Sequence, residues 1–377
     1  QTFDDFINFL TTRTTGRIRP IANPDGQDIL LLPIVRGADK SSNKTATERS
    51  DFVGWPDNAP PLSKLVDYTQ QFFDRRVHVL PSAHLHLSQT SSEISFTANN
   101  KKDDRRRKKQ KVGLESVGAF ASSTTKGKFK LSFPRIDEGL DPPITIAGRA
   151  DYHSGRVQLQ VTSVLNELST FRHNRLVSAV DSSQKDFCIM GLTMEDLYDG
   201  PKDLFCAGMA FGGDKVAVFS FARYHPFLKM SPLHWHQYGY ADSCDGYSYY
   251  ENDEEEPVGL KQEVPHVSDG CAHSRRNEFE IEFLRRSSKL LTHELGHLYG
   301  LDHCVHNRCL MMGTGHLVED FNAPSHLCGI CLRKMQWRLG FNVKGRYKLL
   351  ARVFKESMGM TKEGEWCSKQ YNFLNKE

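Results

Sequence analysis

The chain has 377 residues, of which 38% are hydrophobic and 25% charged, and its formal net charge is +3. This composition is typical of a globular protein and excludes fibrous and wholly disordered chains. The small positive balance does not by itself indicate nucleic-acid binding. No apolar run approaches the roughly 18 residues that a membrane-spanning helix needs, so we expect no membrane partner.

The N-terminus and the cysteines both bear on the compartment. The first ten residues, QTFDDFINFL, are acidic where a secretory signal is basic. The nine cysteines are an odd number, which favours metal binding and free thiols over disulfides in a chain without such a signal. We therefore expect a reducing compartment, the cytoplasm, with the nucleus as the alternative.

A β-α-β pattern opens the ordered part of the sequence. Residues 28–35 are almost wholly apolar and predict a buried strand. Residues 61–74 place their apolar side chains on one helical face, and residues 76–87 predict a second strand. Because a helical crossover joins parallel strands, we expect these two strands to pair in parallel.

Two polar segments interrupt the pattern. Residues 88–150 predict a flexible, solvated insertion, and their centre, KKDDRRRKKQK at 101–111, holds eight basic residues in eleven. A nuclear-import signal or a nucleic-acid contact is the alternative for this run, although no aromatic residues are interleaved to stack on bases. The acidic stretch ENDEEE, within residues 243–276, predicts a second solvated loop.

Regular elements return in the second half. Residues 154–168 fit a helix, although 157–161 alone would also fit a strand. Residues 186–193 and 215–224 predict strands because they are rich in β-branched and aromatic side chains. Residues 277–300 predict a long helix that ends at a glycine.

The stretch HELGHLYGLDHC, at the end of this helix, carries three histidines. His293 and His297 are four residues apart, so both imidazoles project from the same helical face. Gly300 supplies the turn that ends the helix and allows His303 to return toward the first two. Three imidazoles leave one position of a zinc ion open for water, as in catalytic zinc sites.

The acid between the histidines completes the predicted chemistry. Zinc lowers the pKa of a bound water to about 7, and a neighbouring carboxylate can accept its proton during attack on a carbonyl. Glu294 is the residue in place for that role. The alternative is a helix whose histidines merely lie at a surface.

Four cysteines follow directly. Cys304, Cys309, Cys328 and Cys331 have the spacing C-x4-C-x18-C-x2-C, and four thiolates in two close pairs predict a closed, structural zinc site. Two disulfides or unrelated buried thiols are the alternatives. Because Cys304 adjoins His303, one backbone step of about 3.8 Å would tie the two sites together, and the cysteine site would anchor the loop that carries the third histidine.

These residues resemble a known family. The combination HELGHLYGLDHC, VHNRC, LM and CGIC is similar to the archaemetzincins, a branch of the metzincins marked by H-E-x-x-H-x-x-G-x-x-H-C-x4-C-x-M and a later C-x-x-C. Every position of that pattern is filled here. The resemblance covers residues 180–355 well and residues 28–85 weakly. It assigns a Met-turn, a hydrophobic floor beneath the zinc ligands, to Met311, with Met312 as the second choice.

The family resemblance implies a fold and an activity. It implies a zinc metallopeptidase acting on peptides or proteins, with aminopeptidase-type action, and a mixed sheet whose antiparallel edge strand runs above the cleft. We place that edge at residues 215–223, where an extended peptide could add as a further strand. The charges of Lys215 and Arg223 would alternatively protect the edge from pairing.

The resulting hypothesis is an α/β, metzincin-like peptidase with two zinc ions, one catalytic and one structural. Residues 28–355 form its catalytic domain, which includes an active-site helix, a zinc-anchored loop and a helical subdomain. Residues 1–27 are an N-terminal extension and residues 356–377 a C-terminal tail. The alternatives are a zinc-stabilised peptide- or protein-binding module without efficient turnover and, more remotely, a nucleic-acid-binding protein.

Overall fold

A computed structural model describes eleven parts of the chain. The side chains of residues 87, 126–127, 178 and 269–276 are not described. Almost all of the predicted N-terminal extension, the basic run at 101–111 and the acidic loop up to residue 268 lie outside the described residues. The described residues are 2, 4–5, 27–37, 54–87, 126–135, 139–150, 157–178, 187–201, 203–226, 269–315 and 317–376.

A mixed sheet of ten strands forms the centre of the described fold. The strands are β1 (Ile29–Arg36), β2 (Val77–Val79), β3 (Ala83–Leu87), β4 (Lys126–Ser132), β5 (Ile144–Ala150), β6 (Val157–Gln160), β7 (Cys188–Thr193), β8 (Asp196–Tyr198), β9 (Gly208–Phe211) and β10 (Val216–Ser220). Their order is β8-β6-β5-β4-β3-β1-β7-β10-β9, with β2 also paired to β1. The predicted mixed α/β class is confirmed.

Strand β1 lies in the interior of the sheet and pairs in parallel with β2, β3 and β7. Its residues are apolar almost throughout because both of its faces are covered. The predicted parallel pairing is confirmed, but the prediction of one strand over 76–87 is wrong. The Leu80 amide donates to Leu31, whereas Pro81 has no amide hydrogen and the strand breaks there.

The prediction of a flexible insertion is wrong for residues 126–135 and 139–150, which the structure describes. Strands β4 and β5 pair with each other, and β4 extends the sheet antiparallel to β3. The reason is an alternation in which Phe129 and Leu131 are buried while Lys128 and Lys130 are exposed. This period-two pattern gives β4 one core face and one solvated face.

The prediction of one helix over residues 154–168 is wrong for its first residues. Residues Val157–Gln160 form β6, the alternative that the pattern allowed, and the helix begins at Val161.

The predicted edge strand is also wrong. Strand β10 is interior, since it pairs in parallel with β7 and antiparallel with β9, and β9 is the edge strand of the described sheet. The two charges expected to guard an edge are engaged elsewhere. Lys215 donates to the Leu298 carbonyl at 2.7 Å, and the buried Arg223 forms an ion pair with Asp196.

The helices cover both faces of the sheet. The one carrying the histidines begins eight residues earlier than predicted, so residues 269–276 are helical rather than part of an acidic loop. The prediction of a tail over 356–377 is wrong, because a helix there buries Cys367 against the core. The α-helices are α1 (Leu62–Phe73), α2 (Val161–Ser178), α3 (Asp269–Leu298), α4 (Leu317–Asn322), α5 (Gly329–Leu339), α6 (Val343–Arg352) and α7 (Thr361–Phe373).

Two hydrophobic cores flank the sheet, and β1 contributes to both. Ile29 and Leu31 pack with residues of α1, α3 and the C-terminal helices, whereas Leu30 and Leu32 pack with α2. This division follows from the alternation of side chains along a strand. No helix in the described parts of the chain is long and apolar enough to cross a membrane.

Candidate metal centre

The last two turns of α3 hold two histidines with converging rings. The Nε2 atoms of His293 and His297 lie 3.1 Å apart. The Nδ1 atom of His293 is 2.8 Å from the Leu310 carbonyl oxygen, and that of His297 is 2.7 Å from the Leu301 carbonyl oxygen. Because a carbonyl only accepts, each Nδ1 carries the proton and each Nε2 presents a lone pair.

The third histidine returns to the same point after a turn. Gly300 has φ +96°, a left-handed conformation that favours glycine. The Leu301 amide closes the helix end by donating to the Gly296 carbonyl at 3.0 Å. The structure then brings a nitrogen of His303 to within 4.8 Å of those of His293 and His297.

The three imidazoles fit a metal ion by their donor chemistry. A tetrahedral zinc with bonds of about 2.0–2.1 Å holds two nitrogens about 3.3 Å apart, close to the 3.1 Å between the Nε2 atoms of His293 and His297. Burial lowers the pKa of each of these two rings to about 4. Both are therefore neutral at physiological pH, which is the form that binds metals.

Glu294, the predicted base, is buried with 8% of its surface exposed. Burial raises the pKa of its carboxyl to about 8, and the nearby Asp320 carboxylate adds to the shift. Such a shift is typical of a carboxyl poised for proton transfer. A positive ion held by the adjacent histidines would favour the ionised form of this carboxyl.

The four cysteines form a second cluster. Their Sγ atoms all lie within 4.8 Å of one another, and those of Cys304 and Cys328 are 3.8 Å apart. All four are free thiols rather than disulfides. The pKa of Cys309 is lowered to about 6, mainly because its sulfur is hydrogen-bonded to Cys331. The same hydrogen bond raises the pKa of Cys331. The set matches the donors of a structural zinc site.

Backbone amides also point at these sulfurs. The Cys309 Sγ atom accepts from the Cys328 amide at 3.2 Å and from the Met311 amide at 3.5 Å. The Cys328 Sγ atom accepts from the Cys331 amide at 3.5 Å, at the start of α5. Amide donors of this kind stabilise thiolates and would orient them toward a metal.

One loop connects the two clusters. The Cys304 amide donates to the Met311 carbonyl at 2.6 Å, directly after His303. The Met311 side chain is fully buried against Gly296 between the two helical histidines, whereas Met312 is only partly buried. Of the two candidates for the Met-turn, Met311 is thus the one that packs against the histidine helix at Gly296.

Some residues of the site had no signature in the sequence. The carbonyls of Leu301 and Leu310 orient two imidazoles, but any residue type could supply them. A Cβ at Gly313 would lie 2.9 Å from the His303 Nδ1 atom, so the absence of a side chain at Gly313 leaves room for the His303 ring. Asp320, which is partly buried and adds to the raised pKa of Glu294, also has no signature in the sequence.

Sequence comparisons identify relatives of this chain. Residues 272–337 match the family model described as peptidase family M54. Archaemetzincin-2 of Mus musculus is 36% identical over 260 residues, which are 65% of this chain and 64% of that protein. Archaemetzincin-1 of Homo sapiens is 32% identical over 208 residues, 55% of this chain and 36% of that protein. The chain thus spans less than two thirds of the length of these relatives.

Solved structures give a weaker match. The archaemetzincin of Methanopyrus kandleri is 16% identical with a TM-score of 0.36, and the comparison covers 85% of this chain and 98% of that one. A zinc-dependent peptidase of Methanocorpusculum labreanum is 16% identical with a TM-score of 0.39, and the comparison covers 81% of this chain and 99% of that one. The similarity to these structures is too low to support a conclusion about this chain. The sequence matches confirm the predicted resemblance.

Proposed function

We propose that this chain, a relative of the archaemetzincins, is a zinc-dependent metallopeptidase that hydrolyses peptide bonds. One observation carries the proposal. The Nε2 lone pairs of His293 and His297 converge at 3.1 Å because each Nδ1 is held by a carbonyl, and His303 closes the set beside the buried Glu294. This arrangement is the donor set of a zinc ion with an open position, together with a base.

The residues of the chain then have distinct tasks. Bound zinc would supply an activated water and polarise the scissile carbonyl. Glu294 would accept the proton of that water and pass it to the departing amine. The carbonyls of Leu301 and Leu310 keep two imidazoles in the tautomer that leaves Nε2 free.

We also propose a second zinc ion, held by Cys304, Cys309, Cys328 and Cys331. Its role would be structural, because four thiolates leave no open position. The hydrogen bond from Cys304 to Met311 supports the expectation that this site steadies the loop with the third histidine.

The substrate would be an extended peptide, with aminopeptidase-type action as the more specific proposal. The edge strand β9 contacts the histidine helix, and a Cβ at Gly212, the residue that follows β9, would be 3.9 Å from the His297 carbonyl oxygen. A peptide paired to the outer edge of β9, which is unpaired among the described strands, would run close to the metal centre. This edge replaces the one expected from the sequence.

The test is metal-dependent cleavage of a peptide library read by mass spectrometry. Chelated protein should be inactive and should recover on addition of zinc, whereas Glu294→Gln protein should stay inactive after the same addition. Paired peptides with free and acetylated N-termini separate aminopeptidase from endopeptidase action. If zinc-loaded native protein cleaves nothing but retains peptides, it is a binding module.

A further inference from the structure

A cavity of about 210 Å³ lies on the α6–α7 side of the molecule. It is formed by the loop after α4 together with helices α1, α3, α6 and α7 and the short π-helix Val353–Ser357. None of the histidine, cysteine or glutamate residues assigned to the two metal clusters lines it. Most of its surface is apolar, and it includes Leu350 and Trp366.

Arg346, whose side chain is buried, is one of the residues that line this cavity. Arg346 is 5% exposed, its Nε donates to the Phe72 carbonyl at 2.8 Å, and its Nη2 has no hydrogen-bond partner among the described residues. It lies over the Phe72 ring at 4.2 Å and near the Tyr347 ring at 5.9 Å. Aromatic faces compensate a buried charge only in part, and a carboxylate in the cavity would complete the compensation.

The start of α7 also borders this cavity. Met360 provides no side-chain cap, so the first amides of α7 lack that partner. Lys362, in the first turn, lines the cavity, as does Glu363. Glu363 forms no ion pair with Arg346 within the described part of the chain, so the guanidinium still lacks a carboxylate.

We propose that this cavity binds a small organic carboxylate. Its carboxylate would pair with Arg346 near the start of α7, and its apolar part would lie against Leu350 and Trp366. A free carboxylic acid and the C-terminal residue of a polypeptide present the same chemistry. The mixed lining favours either of them over inorganic phosphate, which has no apolar part.

The cavity adjoins the metal centre without sharing its residues. The His326 ring stacks on Trp366 with centroids 3.8 Å apart, and the His326 carbonyl accepts from the Leu310 amide at 2.8 Å. Leu310 in turn accepts from His293. A carboxylate could also bind a catalytic zinc, so the test must separate the two places.

The test is calorimetric titration of the zinc-loaded full chain with phenylacetate and with phenylacetamide, its neutral counterpart. We expect the acid alone to bind saturably, with one equivalent insensitive to His303→Ala. Arg346→Met should weaken this binding tenfold or more, on the order of a charged hydrogen bond. Lys362→Met should weaken it about two- to threefold, while Lys369→Met, on α7 but outside the cavity, should not.

Three results would overturn the proposal. These are equal binding of acid and amide, loss of all binding in the His303→Ala protein, and equal effects of the two lysine substitutions. If the Arg346→Met protein does not fold, the proposal is still tested by comparing phenylacetate with phenylacetamide and Lys362→Met with Lys369→Met. N-acetylphenylalanine and its amide identify the source, because a site for polypeptide C-termini accepts this acid at least as well as phenylacetate.

Discussion

A Cβ atom at Gly296 would come within 2.5 Å of the Met311 Sδ atom. Met311 is fully buried, and Gly296 lies on α3 between the two helical histidines. The side of the helix that faces Met311 therefore has no room for a side chain. The close contact fixes the helix against the loop that returns His303.

The first prediction tests this contact. Gly296→Ala should lower the free energy of unfolding by about 1–3 kcal/mol, because a Cβ in a filled space forces the neighbours to move. Displacement of Met311 should also weaken metal retention at the histidines. Gly213→Ala is the matched control, since a Cβ there meets nothing within 4 Å. Thermal melts and zinc analysis measure both effects, and equal behaviour of the two variants would contradict the prediction.

The second prediction concerns the base. Glu294→Gln should retain zinc but lower peptide hydrolysis by roughly 10²–10⁴, the usual contribution of a positioned general base. The side chain is buried, and glutamine has nearly the same shape, so the fold should persist. Glu278→Gln, exposed on the same helix, should retain full activity. Undiminished turnover in the Glu294 variant would refute the assigned role.

Local patterns explain what could be predicted from the sequence. His293 and His297 share a helical face by spacing alone, and Gly300 marks the turn that returns His303. Cys328 and Cys331 lie close because α5 begins between them, with Cys328 as its N-cap. Such sites depend on a few consecutive residues, so their geometry is largely set by local structure.

Several of the failures depend on contacts between residues far apart in the sequence. The alternation of Phe129 and Leu131 with lysines went unnoticed beside a highly charged segment. Strand β10 has the residue types of any strand, and its interior place depends on β9, which has only four residues. The Leu310 carbonyl beside His293 has no sequence signature, because every residue carries one.

The third prediction contrasts two neighbouring carboxylates. Asp196 is 1% exposed at its side chain and pairs with the buried Arg223 at 2.6 Å. Asp196→Asn should destabilise the fold by about 3–5 kcal/mol, since it leaves a buried guanidinium without its counter-ion. Glu195 pairs with Arg36, which is 54% exposed, so Glu195→Gln should cost about 1 kcal/mol or less. Urea unfolding of both variants measures the difference. Equal midpoints would show that the buried ion pair contributes no more to stability than the exposed one.

The last prediction joins the two metal clusters. We expect two zinc ions per chain, and mild chelation should remove the one at the histidines first, because its open position permits exchange. The zinc at the cysteines should persist, since four thiolates bind it and its affinity is coupled to folding.

Two substitutions test the dependence of one cluster on the other. Cys309→Ser removes no histidine, yet it should loosen the loop that Cys304 and Met311 hold together at 2.6 Å. Both zinc content and activity should therefore fall. His303→Ala should lose one zinc while the cysteine cluster and most of the fold remain, because Cys304 keeps its own contacts. Elemental analysis beside activity measures both, and full activity in Cys309→Ser protein with one zinc would show that the cysteine cluster does not support the histidines.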